Sequence, residues 1–172
     1  AELIASRATR INIAKVADLD TAKAEAILRE AGLSTDILCA DWHDVVADEN
    51  IDIMVEVTGG IEMPREAIAA ALRAGKSVVT ANKDLMAAYV GELLAIASES
   101  GVDLFFEASV AGGIPVIQVM KESLAGNRIL KIMGIVNGTT NYILTRMSEE
   151  GMDFAEALKE AQASGYADAN PK

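Results

Sequence analysis

Residues 102–117 read V-D-L-F-F-E-A-S-V-A-G-G-I-P-V-I, and residues 134–144 read G-I-V-N-G-T-T-N-Y-I-L. The first run begins as an apolar strand and ends in a lone acid, Glu107. A glycine pair, Gly112 and Gly113, follows, and Ile114-Pro115 opens a helix, because proline is tolerated where a helix begins. The second run also begins as a strand. It passes into Asn137-Gly138-Thr139-Thr140-Asn141, after which Tyr142, Ile143, Leu144 and Met147 recur at helical spacing. Small and polar residues placed between a strand and the next helix are how α/β proteins build ligand sites.

The same alternation extends upstream. Residues 10–17, 51–57 and 77–81 have strand character, as do 102–106 and 129–136. Helices are predicted over 22–30, 41–47, 64–74, 85–100, 115–125 and 140–149. The 64–74 helix has Pro64 in its first turn and Gly75 after its end. Its apolar face is Ala67, Ile68, Ala71 and Leu72. Asp153 starts a last helix, with Glu156 three residues on as in a capping box, and with Phe154, Ala157, Leu158 and Ala161 on one face. Strands separated by helices predict a parallel sheet with right-handed crossovers. The regular alternation yields at residues 111–115, so two domains are expected: 1–111 and 112–172.

Composition narrows the function. The chain has 172 residues, of which 51% are hydrophobic and 24% charged, which is a globular balance. A net charge of −11 argues against a nucleic-acid partner. No apolar run approaches the roughly 18 residues that would suggest a membrane span. Cys39 is the only cysteine, which excludes an intrachain disulfide and fits a reducing, cytoplasmic compartment. His43 has no acid–cysteine cluster around it and is expected on a surface helix beside Trp42. Cys39 is expected to be a buried small residue.

Three strand ends carry candidate chemistry. Thr58-Gly59-Gly60 offers backbone N–H groups and a hydroxyl, suited to phosphate or ribose; an ordinary glycine turn is an equal alternative. Lys83, in T-A-N-K, sits just before a helix, where a cation is disfavoured by about 0.3–1 kcal/mol and suggests a compensating anion or polar ligand. A solvated surface lysine is the alternative. Glu107 ends an apolar strand and needs a partner there. Either the N–H groups of the glycine turn satisfy it, or it joins the peptide oxygens of Val110, Gly112 and Ile114 around a hard cation. The Asn137-Gly138 turn precedes a helix that Thr139 or Thr140 is expected to cap.

E-A-S-V-A-G-G-I-P and G-I-V-N-G-T-T-N-Y-I-L resemble the corresponding segments of homoserine dehydrogenases. The resemblance runs from the 10–17 strand to Tyr166-Ala167-Asp168. It implies a Rossmann-like parallel sheet with helices on both faces, followed by the start of an α+β substrate and dimerisation domain. The family's first strand and its G-x-G-x-x-G turn have no counterpart here, and the later aspartate and lysine used in catalysis are not reached, so a fragment is expected. The implied reaction is the NAD(P)-dependent interconversion of L-homoserine and L-aspartate 4-semialdehyde in a cytoplasmic homodimer. The resemblance makes Lys83 catalytic and places Thr58, Gly59 and Lys83 at the cofactor. It puts Asn137, Gly138, Thr139 and Asp168 at the substrate. It assigns a sodium or potassium ion to Glu107, Val110, Gly112 and Ile114.

Where the family usually has Glu and Asp in G-Y-A-E-A-D-P, this chain has Asp168 and Asn170. The first shortens the acid that meets the substrate amine, and the second loses a charge. Asp18, after the 10–17 strand, would accept ribose hydroxyls and so favour NAD. Two other functions remain open: a non-catalytic dimerisation or nucleotide-binding module, and another amino-acid-pathway dehydrogenase.

Overall fold

A computed structural model describes residues 11–135 and 137–167. The chain divides into two compact units, Ala1–Ala125 and Gly126–Lys172. The break lies beyond the expected domain junction.

The first unit is α/β with parallel sheets. In order come β1 (Val16–Ala17), α1 (Thr21–Glu30), β2 (Leu38–Cys39), α2 (His43–Ala47), β3 (Ile53–Glu56), α3 (Glu62–Arg73), β4 (Ser77–Thr80), α4 (Lys83–Ser100) and β5 (Leu104–Phe105). The strands form two sheets, β1-β2 and β3-β4-β5, and every pairing is parallel. Over its described residues the expected 10–17 strand is confined to Val16–Ala17, which pair with Leu38 and Cys39 of β2.

Register explains the core. Met54 pairs with Val78, and Val78 with Leu104, so all three side chains share one face. They pack with Ala67, Ile68, Ala71 and Leu72 of α3 and with Leu85, Leu93 and Ile96 of α4. The apolar face read from the sequence of α3 is therefore the buried one. Complete burial of Ile68, Leu72 and Leu93 contributes about 1.5–3 kcal/mol each. The opposite face carries Ile53, Val55 and Phe105, all more than half exposed. The described helices thus cover one face of this sheet, not both.

Helix limits follow local chemistry. The Asn82 side chain caps α4 and Gly101 closes it with a left-handed φ of 68°. After Pro115 the helix is short: α5 (Val116–Gln118) passes into a π-turn over Val119–Ser123, where the Leu124 N–H reaches the Val119 carbonyl at 2.9 Å.

The second unit holds α6 (Gly138–Glu150) and α7 (Phe154–Ala163). They meet through Ile143, Ala157 and Ala161, with Leu158 partly buried beside them. Phe154, expected on the packed face, is 56% exposed. The expected 129–136 strand does not form over its described residues, and Leu130, Ile132, Met133 and Ile135 are exposed. A strand must pair to satisfy its N–H and C=O groups, and the regular elements described in this unit are two helices. Among the described residues no helix is long and apolar enough to cross a membrane.

Candidate functional site at the carboxyl ends of three strands

Because β3, β4 and β5 are parallel neighbours, the segments that follow them lie along one sheet edge. Those segments are Thr58–Gly60, Ala81–Lys83 and Glu107–Ile114, the three singled out from sequence.

The Thr58-Gly59-Gly60 turn is built on an acid that sequence reading passed over. Glu56, the last residue of β3, is 4% exposed. Its Oε1 accepts from the Thr58 N–H (2.8 Å), the Thr58 hydroxyl (2.8 Å) and the Gly59 N–H (3.4 Å). Its Oε2 accepts from the Thr80 hydroxyl of β4 at 2.6 Å. Burial pushes this carboxyl up, but the donors from Thr80, Thr58 and Gly59 outweigh it and hold it below the usual value. The sequence alternation sets Glu56 with Asp52 on the polar side of the 51–57 strand, and the structure reverses this, exposing Ile53, Val55 and Val57 and burying Met54 and Glu56. Gly59 and Gly60 have φ of 83° and 77°. A Cβ at either would meet nothing within 4 Å, so it is the left-handed backbone that requires glycine, and the turn opens outward.

The next strand end is tied to this turn. The Asn82 N–H donates to the Thr80 hydroxyl (3.0 Å), its Nδ2 donates to the Gly60 carbonyl (2.8 Å), and its Oδ1 accepts from the Leu85 N–H (3.1 Å). Lys83, the first residue of α4, is exposed. Among the described residues its ammonium has no hydrogen-bond or ion-pair partner. A cation at a helix start with no partner opposes the helix dipole and is free for a polar or anionic group.

At the third strand end, both Glu107 oxygens are used. They accept from the Ile117 and Gln118 N–H groups at 2.9 and 2.8 Å and so cap α5. Ala111 and Gly112 turn through left-handed φ of 56° and 60°. The Ile114 carbonyl accepts from Val116 at 2.9 Å. The backbone-satisfied reading of Glu107 describes these bonds, although the donors are the helix start and not the glycine turn.

In the second unit the Asn137 side chain, and not Thr139 or Thr140, caps α6, accepting from the Thr140 N–H at 2.7 Å. The Thr139 hydroxyl donates to the Tyr166 carbonyl. The rings of Tyr142 and Tyr166 stack at 4.8 Å. These contacts bring Tyr166-Ala167 to the start of α6, beside Gly138. Asp168 and Asn170 lie outside the described residues.

Elsewhere, Asp18 is exposed and accepts from the Asp20 N–H at 2.8 Å. His43 stacks on Trp42 at 3.7 Å, as expected of a surface residue. Cys39 is half-buried, less enclosed than its reading implied. A hollow of about 510 Å³ lies between the amino ends of β3 and β4, away from these segments. Lys76, which lines it with Glu49 and Asp52, is buried and spends its ammonium on the Asp48 and Ile51 carbonyls, at 2.6 and 2.8 Å.

Comparison with known proteins shows the family. The family model of the homoserine dehydrogenase NAD binding domain matches residues 1–107, and that of homoserine dehydrogenase matches residues 115–172. The chain belongs to the homoserine dehydrogenase family. The Bacillus subtilis homoserine dehydrogenase is 52% identical over 83% of this chain and 33% of its own length. That of Neisseria gonorrhoeae is 45% identical over 99% of this chain and 38% of its own. The crystal structure of the Thiobacillus denitrificans homoserine dehydrogenase superposes with a TM-score of 0.82 at 47% identity, covering 92% of this chain and 36% of that one. A hyperthermophilic archaeal homoserine dehydrogenase in complex with NADPH superposes at 0.77 and 30% identity, over 99% of this chain and 58% of its own. The chain thus spans about a third of the length of its curated homoserine dehydrogenase relatives. The two family matches leave residues 108–114 between them.

Proposed function

We propose that this chain supplies the cofactor-facing edge and the first substrate-facing turn of a homoserine dehydrogenase. That enzyme moves a hydride between a nicotinamide ring and the carbonyl carbon of L-aspartate 4-semialdehyde, giving L-homoserine. The observation that carries the reading is the partnerless Lys83 ammonium at the start of α4, beside an open glycine turn on the same sheet edge. Thr58 and Gly59 contact the cofactor, NAD or NADP. Lys83 polarises the substrate oxygen, the kind of preorganised charge that stabilises a developing oxyanion. Asn137, Gly138 and Thr139 wall the substrate, and Asp168 meets its ammonium.

β1-β2 and β3-β4-β5 are read as parts of one Rossmann-like sheet with a further strand between them. The bare face with Ile53, Val55 and Phe105 supports this, since a doubly wound sheet is covered on both sides. The functional domain junction is placed at residues 111–112. The assembly is a cytoplasmic homodimer.

A sodium or potassium ion is assigned to Glu107 with the Val110, Gly112 and Ile114 carbonyls. The donor set fits, being all oxygen. Each Glu107 oxygen accepts one helix N–H, and a carboxylate has about four lone-pair sites, so capacity remains. Such an ion would hold the junction between domains.

The test is an assay of the complete polypeptide that carries this sequence, with homoserine and either NAD or NADP. Homoserine-dependent formation of reduced nicotinamide is expected. Tight nucleotide binding without turnover would favour a nucleotide-binding module instead.

A further inference from the structure

We propose that Glu56 is the positioning residue of the cofactor-facing edge: with Thr80 and Asn82 it closes a hydrogen-bonded ring that fixes the Thr58 turn against the helix start bearing Lys83, and it makes the Thr58 hydroxyl an acceptor toward the ligand. This rests on reading those two segments as cofactor- and substrate-facing.

The ring is traceable bond by bond. Glu56 takes the Thr58 and Gly59 N–H groups through Oε1 and the Thr80 hydroxyl through Oε2. The Thr80 hydroxyl, having given its proton, takes the Asn82 N–H, and the Asn82 amide returns to the Gly60 carbonyl. Thr80 is fully buried, and Glu56 and Asn82 are 4% and 8% exposed. Among the described residues no cation lies within ion-pair distance of Glu56, so peptide and hydroxyl donors carry the whole compensation for its burial.

An apolar pair could fill the same space. Replacing buried charge by well-packed apolar groups is often neutral or stabilising, so stability alone does not call for an acid here. What an acid adds is direction. A carboxylate only accepts, so every donor around it is oriented. The Thr58 hydroxyl spends its one proton on Glu56, and Thr58 is exposed. Toward solvent it therefore presents only lone pairs. The group it suits is a donor, such as a ribose hydroxyl or a carboxamide N–H, and not a phosphate oxygen. Gln at position 56 keeps the shape but turns one of the two acceptor oxygens into an NH2 donor, so it cannot accept from both the Thr58 turn and the Thr80 hydroxyl.

The experiment titrates NADH and NADPH into the complete polypeptide by nicotinamide fluorescence, for the parent and for Glu56→Gln, Thr80→Val and Thr80→Ser. Circular dichroism confirms that each is folded, and amide NMR follows the Thr58 and Gly59 N–H groups. Glu56→Gln and Thr80→Val are expected to raise Kd at least about tenfold, or roughly 1.4 kcal/mol. The Thr58 and Gly59 resonances should move upfield in Glu56→Gln as the charged acceptor is lost. Thr80→Ser should restore the parent Kd. A folded Glu56→Gln protein with unchanged Kd overturns the proposal, as does one with unchanged Thr58 and Gly59 resonances. A parent that binds nucleotide but does not oxidise homoserine refutes the functional reading and leaves this test intact. A parent that binds no nucleotide overturns both.

Discussion

Thr80 and Glu56 stand in register on neighbouring parallel strands, and the Thr80 hydroxyl donates to the Glu56 carboxylate across 2.6 Å. Two inward-facing polar side chains, flanked by the apolar row Met54, Val78 and Leu104, thereby join the end of one strand to the end of the next. That bond is the hinge of the candidate site's geometry, and several expectations depend on it.

Thr80→Val should destabilise the protein by about 1–3 kcal/mol, because it removes a donor from a buried carboxylate and an acceptor from the Asn82 N–H. Thr80→Ser keeps both bonds and should lie close to the parent. Urea midpoints for the two variants measure the difference, and equal midpoints would contradict the buried ring.

The ring also sets an acid response. Glu56 is held below its ordinary value in the folded chain, and an unfolded glutamate titrates near about 4.3. A carboxyl depressed by folding contributes its full stability above the unfolded value and loses it as pH falls through the folded value. The stability gap between the parent and Glu56→Gln should therefore be constant at neutral pH and shrink below about pH 4. Denaturant melts at a series of pH values would reveal it, and a gap that widens on acidification would count against the assignment.

Packing predicts a contrast within the sheet unit. Leu72→Ala removes a fully buried side chain between α3 and the sheet and should cost about 2–5 kcal/mol. Val55→Thr, on the bare face of β3, should change the stability of this chain by no more than about 0.5 kcal/mol. Thermal melts of both variants check the pair together.

Lys83→Ala in the complete polypeptide should lower kcat/KM for homoserine at least about tenfold, about 1.4 kcal/mol of transition-state stabilisation. The lysine is exposed and partnerless, so its removal should leave the melting temperature nearly unchanged. Parent-like kinetics would return Lys83 to the surface lysines.

Glu107 separates two roles by salt. Glu107→Ala should destabilise by about 0.5–2 kcal/mol through lost capping of α5. If the carboxylate also holds a cation, the parent should melt higher in sodium or potassium than in a bulky organic cation at matched ionic strength, and Glu107→Ala should lose that difference. Coincident parent melts would leave Glu107 as a cap alone.

The sequence by itself determined most of the helices and the parallel character of the sheet, but it missed β2 (Leu38–Cys39) and put a strand at residues 129–136 that does not form over its described residues. It could place the helices because periodicity and end signals are local: Pro64 lies in the first turn of α3 and Gly75 follows its end, Gly101 closes α4, and Asp153 caps α7 through the Glu156 N–H. It also marked Thr58, Lys83 and Glu107, since small or polar residues at strand ends stand out against an apolar run. Tertiary structure decided what depends on partners distant in sequence. Residues 129–135 have strand-like alternation, yet the described residues of their unit offer no strand to pair with them. Phe154 lies at the right helical spacing but stays exposed among the described residues. Glu56 looked like one polar residue within the 51–57 strand; only the register of β3 with β4 brought Thr80 opposite it and made it the centre of the turn. Alternation along a strand says which residues share a face, and the neighbouring elements decide which face is buried and what each side chain meets.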